Sequence, residues 1–168
     1  MIEALLGFLE EIFGSTYSGR VAVTFFVSML PIVELRGAIP IGAALGLPPL
    51  TSFFVSIVGN MLPVPVIILF VRKIFGWMRK KSARLGRLAD RFEQKAKSRG
   101  ARLYRGELVG LMLFVAIPLP GTGAWTGALI AALLDIRLKA ALPVILAGVI
   151  FAGLIITGIT YGLVSLVA

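Results

Sequence analysis

The stretch Pro31-Ile-Val-Glu34-Leu-Arg36-Gly37-Ala-Ile-Pro40-Ile-Gly42 lies between two apolar runs, yet it carries an acid, a base, two prolines and two glycines. A proline inside a helix removes a backbone hydrogen bond and costs about 3 kcal/mol. A charged side chain at bilayer depth costs about 2.5–3.5 kcal/mol on insertion scales. Several such costs within a dozen residues mark a site, and the surrounding chain reads as the scaffold that holds it.

That surrounding chain is a membrane protein by composition. Of 168 residues, 58% are hydrophobic and 15% charged, and the mean hydropathy is +0.99. Soluble domains run at about 45–50% apolar and about 25% charged. The length leaves no room for a separate soluble domain, so one membrane domain over 1–168 is expected. Cysteine and histidine are both missing from the sequence, which excludes thiol chemistry, a Ser-His-Asp triad and the common zinc, copper or haem ligands. No cofactor, no metal and no enzymatic activity are expected. The N-terminus, Met1-Ile-Glu3, lacks the basic start of a cleaved signal.

The net charge of +9 is concentrated in one place. From Arg72 to Arg105 thirteen basic residues face Asp90 and Glu93, a local charge of +11, which leaves −2 for the remainder. One basic segment in an apolar chain is the positive-inside signal of a cytoplasmic loop rather than a nucleic-acid footprint.

Working outward from the opening stretch, residues 2–13 show helical apolar periodicity, fitting an interfacial helix or an ordinary packing helix over 1–17. Ser18–Leu30 and Ala38–Leu47 are apolar limbs on either side of the break. At 1.5 Å per residue, thirteen residues reach about 20 Å, short of the roughly 30 Å hydrocarbon core. Thr51–Val71 is long enough to span, with Pro63 and Pro65 expected to bend it. Asn60 near its middle either lines a polar pathway or bonds a carbonyl freed by Pro63. Residues 74–106 form the basic segment, with apolar positions at helical spacing that suit an amphipathic cytoplasmic helix. Leu108–Ile117 is another short limb, leading into Ile117-Pro118-Leu-Pro120-Gly121-Thr122-Gly123-Ala-Trp125-Thr126-Gly127. A second full-length apolar helix is expected over Ala140–Val167. The two halves, 18–73 and 107–168, therefore repeat one pattern of short limb, Pro/Gly break, short limb and spanning helix. Matching Gly42-Ala43 to Gly127-Ala128, and Gly37-Ala38 to Gly123-Ala124, sets the halves 85 or 86 residues apart.

Each broken segment could cross as a kinked helix or return as a re-entrant hairpin. Re-entry keeps Arg137 and Lys139 on the cytoplasmic side with the basic segment, whereas crossing would export them. The expected fold is all-α: an inverted repeat of a re-entrant helical hairpin plus one transmembrane helix, in a multi-pass protein of the cell membrane. Non-helical backbone at bilayer depth needs protein around it, so a homodimer among membrane lipids is also expected.

The tips carry the chemistry. Helix N-termini near Gly37 and at Thr122-Gly123 leave backbone N–H groups and partial positive charge. Arg36 adds a planar fork suited to phosphate or carboxylate, and Thr122 and Thr126 add hydroxyls. Glu34 is the one acid deep in the apolar sequence. It either pairs with Arg36 as an internal salt bridge or serves as a proton-titratable carboxylate. The candidate binding set is Glu34, Arg36, Gly37, Pro120, Gly121, Thr122, Gly123 and Thr126. Trp125 suits the cavity wall or plain packing, and Glu107 and Asp135 suit segment ends.

Glu34-Leu-Arg36-Gly37-Ala-Ile-Pro40-Ile-Gly42 together with Pro118-Leu-Pro120-Gly121-Thr122-Gly123-Ala-Trp125 resembles the prokaryotic small multidrug export protein family over nearly the whole chain. The layout is also similar to the DedA (VTT-domain) membrane proteins. The latter resemblance implies movement of a polyprenyl-phosphate carrier lipid, with Glu34 and Arg36 in the positions of the acid and arginine and Pro120-Gly121 as the Pro-Gly element. The second tip departs from that pattern in having no arginine, the nearest being Arg137. The first expectation is thus a transporter of an anionic lipid, coupled to protons through Glu34. A proton-coupled exporter of amphipathic drugs is the alternative, and a non-transporting membrane scaffold a third.

Overall fold

The computed structural model describes residues 16–81, 87, 106–119 and 121–167. The expected interfacial helix, most of the basic segment and Pro120 lie outside the described residues. Seven helices occur among those described: α1 (Tyr17–Ser28), α2 (Glu34–Ala44), α3 (Pro49–Met61), α4 (Pro63–Lys81), α5 (Glu107–Ala116), α6 (Ala124–Leu133) and α7 (Leu138–Val167). Residues 49–74 and 138–166 are long and apolar enough to cross a bilayer. These are the two expected spans. The first is interrupted at Leu62, because neither Pro63 nor Pro65 can donate to the carbonyl one turn back.

The chain forms two compact units, one of Met1–Leu62 with Val149–Ala168 and the other of Pro63–Gly148. In the first, α1 and α2 form an antiparallel hairpin. Its register follows from two contacts: a Cβ on Gly46 would lie 3.3 Å from the Arg20 guanidinium, and one on Gly42 would lie 3.2 Å from Thr24 Oγ1. Val23 and Val27 of α1 pack on Ala38 and Leu45, with Val33 and Ile41 beside them. The α3 helix returns along both. Gly59 lies so close to α1 that a Cβ there would sit 2.5 Å from the Phe25 carbonyl oxygen. In the second unit, α5 and α6 form the other hairpin, and α6 packs along α4.

The ends of α2 and α6 share one hydrogen-bond pattern, in a different register from that of the Gly-Ala matches. After α2, Leu47 N–H donates to Gly42 O and Gly46 N–H to Ala43 O. After α6, Ile136 N–H donates to Ala131 O and Asp135 N–H to Ala132 O. Both are Schellman-type caps, and position 136 minus 47 sets the offset at 89. Gly46 (φ 76°) and Asp135 (φ 55°) hold the left-handed position in each. The first bonds of the following helices match at the same offset, Ser52 N–H to Pro48 O and Ala141 N–H to Arg137 O. Gly-Ala pairs misled the matching because small residues recur wherever helices pack closely, whereas a cap occurs once per helix end.

The long helices make a reciprocal pair of contacts at this offset. Arg72 of α4 donates to Ile136 O and lies 3.4 Å from Asp135. Tyr161 of α7 donates to Leu47 O at 2.7 Å. Residue 161 is 72 plus 89, and 136 is 47 plus 89, so each long helix bonds the end of a hairpin at matching positions. At its far end α4 continues through the basic residues to Lys81, whose ammonium lies 4.5 Å from the Trp77 ring centre.

Candidate functional site

Glu34 and Arg36 stand in the first turn of α2, which starts three residues before the expected Gly37-Ala38. Glu34 is only 4% exposed and has a φ of 50°, a conformation uncommon for a non-glycine residue and one that clusters at functional sites. Its carboxylate acts electrostatically on the half-buried Arg36. The Glu34 N–H donates to Leu30 O and the Gly37 N–H to Val33 O. The turn at 29–33 thus occupies N–H groups that an anion at this tip would need, and Val33 packs where a Cβ on Gly37 would fall.

The second tip is built by Thr122. Its hydroxyl bonds Ile117 O at 2.7 Å and Leu119 O at 2.8 Å, closing the break over Pro118, and Gly121 supplies a positive φ. Gly123 is the N-cap of α6 with no side-chain cap, and Thr126 and Trp125 are partly buried in its first turn. Glu34, Arg36 and Gly37 belong to the first unit, and Gly121, Thr122, Gly123 and Thr126 to the second.

A larger feature emerges from the interior. The first unit buries Thr24, Ser28, Ser52, Ser56 and Asn60, all at 0% exposure. Ser52, Ser56 and Asn60 recur every fourth residue, one face of α3. Ser52 Oγ shares a 2.7 Å hydrogen bond with Tyr161 Oη, and one turn before Tyr161 on α7 is Thr157. The glycines keep this polar face tight. A Cβ on Gly42 would meet Ser52 Oγ at 2.5 Å, and one on Gly59 would meet Ser28 Oγ at 2.0 Å.

The residues at matched positions are apolar. The 89-residue offset pairs Ser52, Ser56 and Asn60 with Ala141, Ile145 and Val149, which are equally buried. It pairs Thr157 with Ile68, also buried. For the first limbs the offset is 87, since Gly148 meets Met112 O and Val115 as Gly59 meets Phe25 O and Ser28. Thr24 and Ser28 then match Leu111 and Val115. The first unit thus buries hydroxyl and amide groups beside its apolar core, at positions whose matches are hydrocarbon.

Several of those polar atoms have no partner among the described residues: Ser56 Oγ, Thr157 Oγ1, and both Oδ1 and Nδ2 of Asn60. Asn60 therefore does not bond a carbonyl freed by Pro63, and that expectation is corrected. The proline leaves Gly59 O without its helical donor, but the amide beside it does not fill the gap. A buried unsatisfied polar group costs about 1–3 kcal/mol, so four such atoms represent a cost that apolar side chains at these positions would avoid. Reasoning from sequence singled out Asn60 alone. The four-residue spacing Ser52, Ser56, Asn60 and Thr24, Ser28 was the signal that could have revealed the rest. Among the described residues there is no cluster of three or more acids that could hold a metal ion.

A family model described as "Putative small multi-drug export protein" matches residues 34–155. No curated protein and no solved structure matches the chain. The match and the two apolar helices of spanning length together make this a membrane protein.

Proposed function

The chain belongs to the small multidrug export protein family, and from that premise we propose that it is a proton-coupled exporter of cationic, amphipathic small molecules. The observation that carries this reading is Glu34: a carboxylate 4% exposed, at a hairpin turn, in the unit that also buries Ser28, Ser56 and Asn60. A carboxylate in such surroundings can exchange a proton for a cation.

The hairpins are read as re-entrant and the repeats as inverted. Supporting this are the shared cap pattern and the reciprocal bonds Arg72 to Ile136 and Tyr161 to Leu47. Contacts of the form i to j and j to i are the mark of a two-fold relation, and a two-fold axis in the membrane plane yields inverted topology. The Arg72–Asp135 contact also favours having the second hairpin end on the side where the basic segment begins. Both fit a multi-pass protein with residues 74–106 cytoplasmic and, as part of the same reading, a homodimer.

A second reading, transport of a phosphate-bearing lipid such as a polyprenyl phosphate, draws on the half-buried Arg36 fork next to the turn. The two readings separate in proteoliposomes of purified full-length protein. With tetraphenylphosphonium and ethidium as probes and an imposed pH gradient, probe-driven proton flux is expected, lost in Glu34→Gln and kept in Arg36→Ala. Movement of a labelled polyprenyl phosphate that requires Arg36, with no probe-driven flux, would replace the first reading by the second.

A further inference from the structure

The buried polar face of the first unit has a direction. Contacts among its helices fix their levels: Thr24 with Gly42 and Ser52, then Ser28 with Gly59. Because α2 runs antiparallel to α1, its start lies beyond Ser28, where the Glu34 N–H bonds Leu30 O. On α7 the same order holds. Tyr161 bonds Ser52 and Leu47 O, Thr157 is one turn back, and Gly153 lies another turn back, where its Cβ would meet Leu35. The ladder therefore leads from Tyr161 and Ser52, through Ser56 and Thr157, to Asn60, at the end of the unit where Glu34 stands.

The unpartnered atoms along it are of both kinds. Asn60 Nδ2 is a donor, Asn60 Oδ1 an acceptor, and the hydroxyls of Ser56 and Thr157 are both. A metal cation would serve the oxygens and leave the amide hydrogens unmet. A ligand that donates and accepts at every rung is water. Gly59 O and Met61 O, deprived of donors by Pro63 and Pro65, add acceptors next to Asn60.

We infer that the ladder Tyr161–Ser52–Ser56/Thr157–Asn60 holds a row of internal waters, and that this row relays protons to and from Glu34. Buried waters typically make about three hydrogen bonds to otherwise unmet groups, which this set of atoms supplies. The relay is a chain of hops: a proton enters at one end, each water passes one on, and Glu34 gains or loses one at the other. The described ionisable groups of this unit are Tyr17, Arg20, Glu34, Arg36 and Tyr161, and of these Glu34 is the carboxylate. The relay rests on the proton-coupled reading above, while the waters do not.

Asn60 is the only asparagine in the chain, so asparagine labelled with nitrogen-15 gives a single side-chain amide signal in the full-length protein in bilayers. Water-edited solid-state NMR is expected to show rapid transfer of polarisation from water to that amide, and deuterium oxide is expected to exchange it. An amide that receives no polarisation from water and keeps its hydrogens in deuterium oxide would overturn the inference. The relay is tested by Asn60→Leu. Proton flux is expected to fall at least tenfold while equilibrium binding of tetraphenylphosphonium is kept. A higher melting temperature with unchanged flux would mean a dry, merely unsatisfied seam and would overturn it. Failure of the transport reading is distinguishable: the wild type would then show no probe-driven flux, or Glu34→Gln would leave that flux intact, while the wild-type NMR signal still reports the waters.

Discussion

At Gly59 the first unit leaves no room for a single methyl group. A Cβ there would lie 2.0 Å from Ser28 Oγ and 2.5 Å from the Phe25 carbonyl oxygen. The hydroxyl could be cut back but the carbonyl is backbone, so Ser28→Ala should not rescue Gly59→Ala. Overpacking of this kind costs about 1–3 kcal/mol or more, and a clear fall in melting temperature is expected for Gly59→Ala in detergent, with or without Ser28→Ala. Gly158 and Gly162 of α7 have nothing within 4 Å of an added Cβ. Alanine at either should leave the melting temperature unchanged or raise it, since glycine inside a helix is worse than alanine by about 0.5–1 kcal/mol. Loss of stability at Gly158 or Gly162 would mean that these faces are covered. Residue-scale chemistry also explains why Glu34 was conspicuous and Ser56 was not. A charge in an apolar run is a visible cost, whereas a serine in a helix becomes costly only once its burial is known.

The element scale turns on the two caps. Gly46 and Asp135 occupy the same left-handed position in hairpins 89 residues apart. Glycine takes that conformation without steric cost, and an aspartate tolerates it at a cost of roughly 1 kcal/mol. In return the Asp135 carboxylate lies 3.4 Å from Arg72, but it is 69% exposed, and such pairs contribute about 0–1 kcal/mol. The two terms nearly cancel. Asp135→Gly should therefore shift the melting temperature little, whereas Gly46→Ala should lower it, by a cost of about 1 kcal/mol together with crowding of Arg20. A large loss in Asp135→Gly would show that the ion pair outweighs the backbone term. Helix existence was legible from the apolar runs, because length and periodicity survive without any partner. The start of α2 was not, since Pro40 and the glycines suggested a longer break. Pro40 is instead accommodated within the helix, where its ring lies on an exposed position.

For the whole molecule, the inverted reading makes a prediction that the cysteine-free chain can test directly. Leu50 opens the first spanning helix and Lys139 the second, and both are exposed. Single substitutions Leu50→Cys and Lys139→Cys should label from opposite sides of the membrane, Lys139→Cys from the cytoplasm, with a membrane-impermeant maleimide. Labelling of both from one side would leave the repeats parallel. The same reading predicts that the two interiors differ in tolerance. Ile145→Ser would create a polar atom in an apolar interior and should destabilise, while Ser56, its match, is already there.

The sequence alone determined the membrane class, the two helices long and apolar enough to span, the four short limbs and the position of the basic segment. Each of these follows from composition, length and charge, which are properties of the chain before it folds. It also flagged Glu34, Arg36 and Asn60, because charge or polarity in an apolar run carries its cost in the sequence itself. Only the tertiary structure decided that the ends of α2 and α6 carry the same cap, 89 residues apart. It likewise decided that Thr24, Ser28, Ser52, Ser56, Asn60 and Thr157 share one interior, and that their matches are hydrocarbon. Burial and the presence or absence of a hydrogen-bond partner belong to packing among helices distant in sequence, and no single segment contains that information.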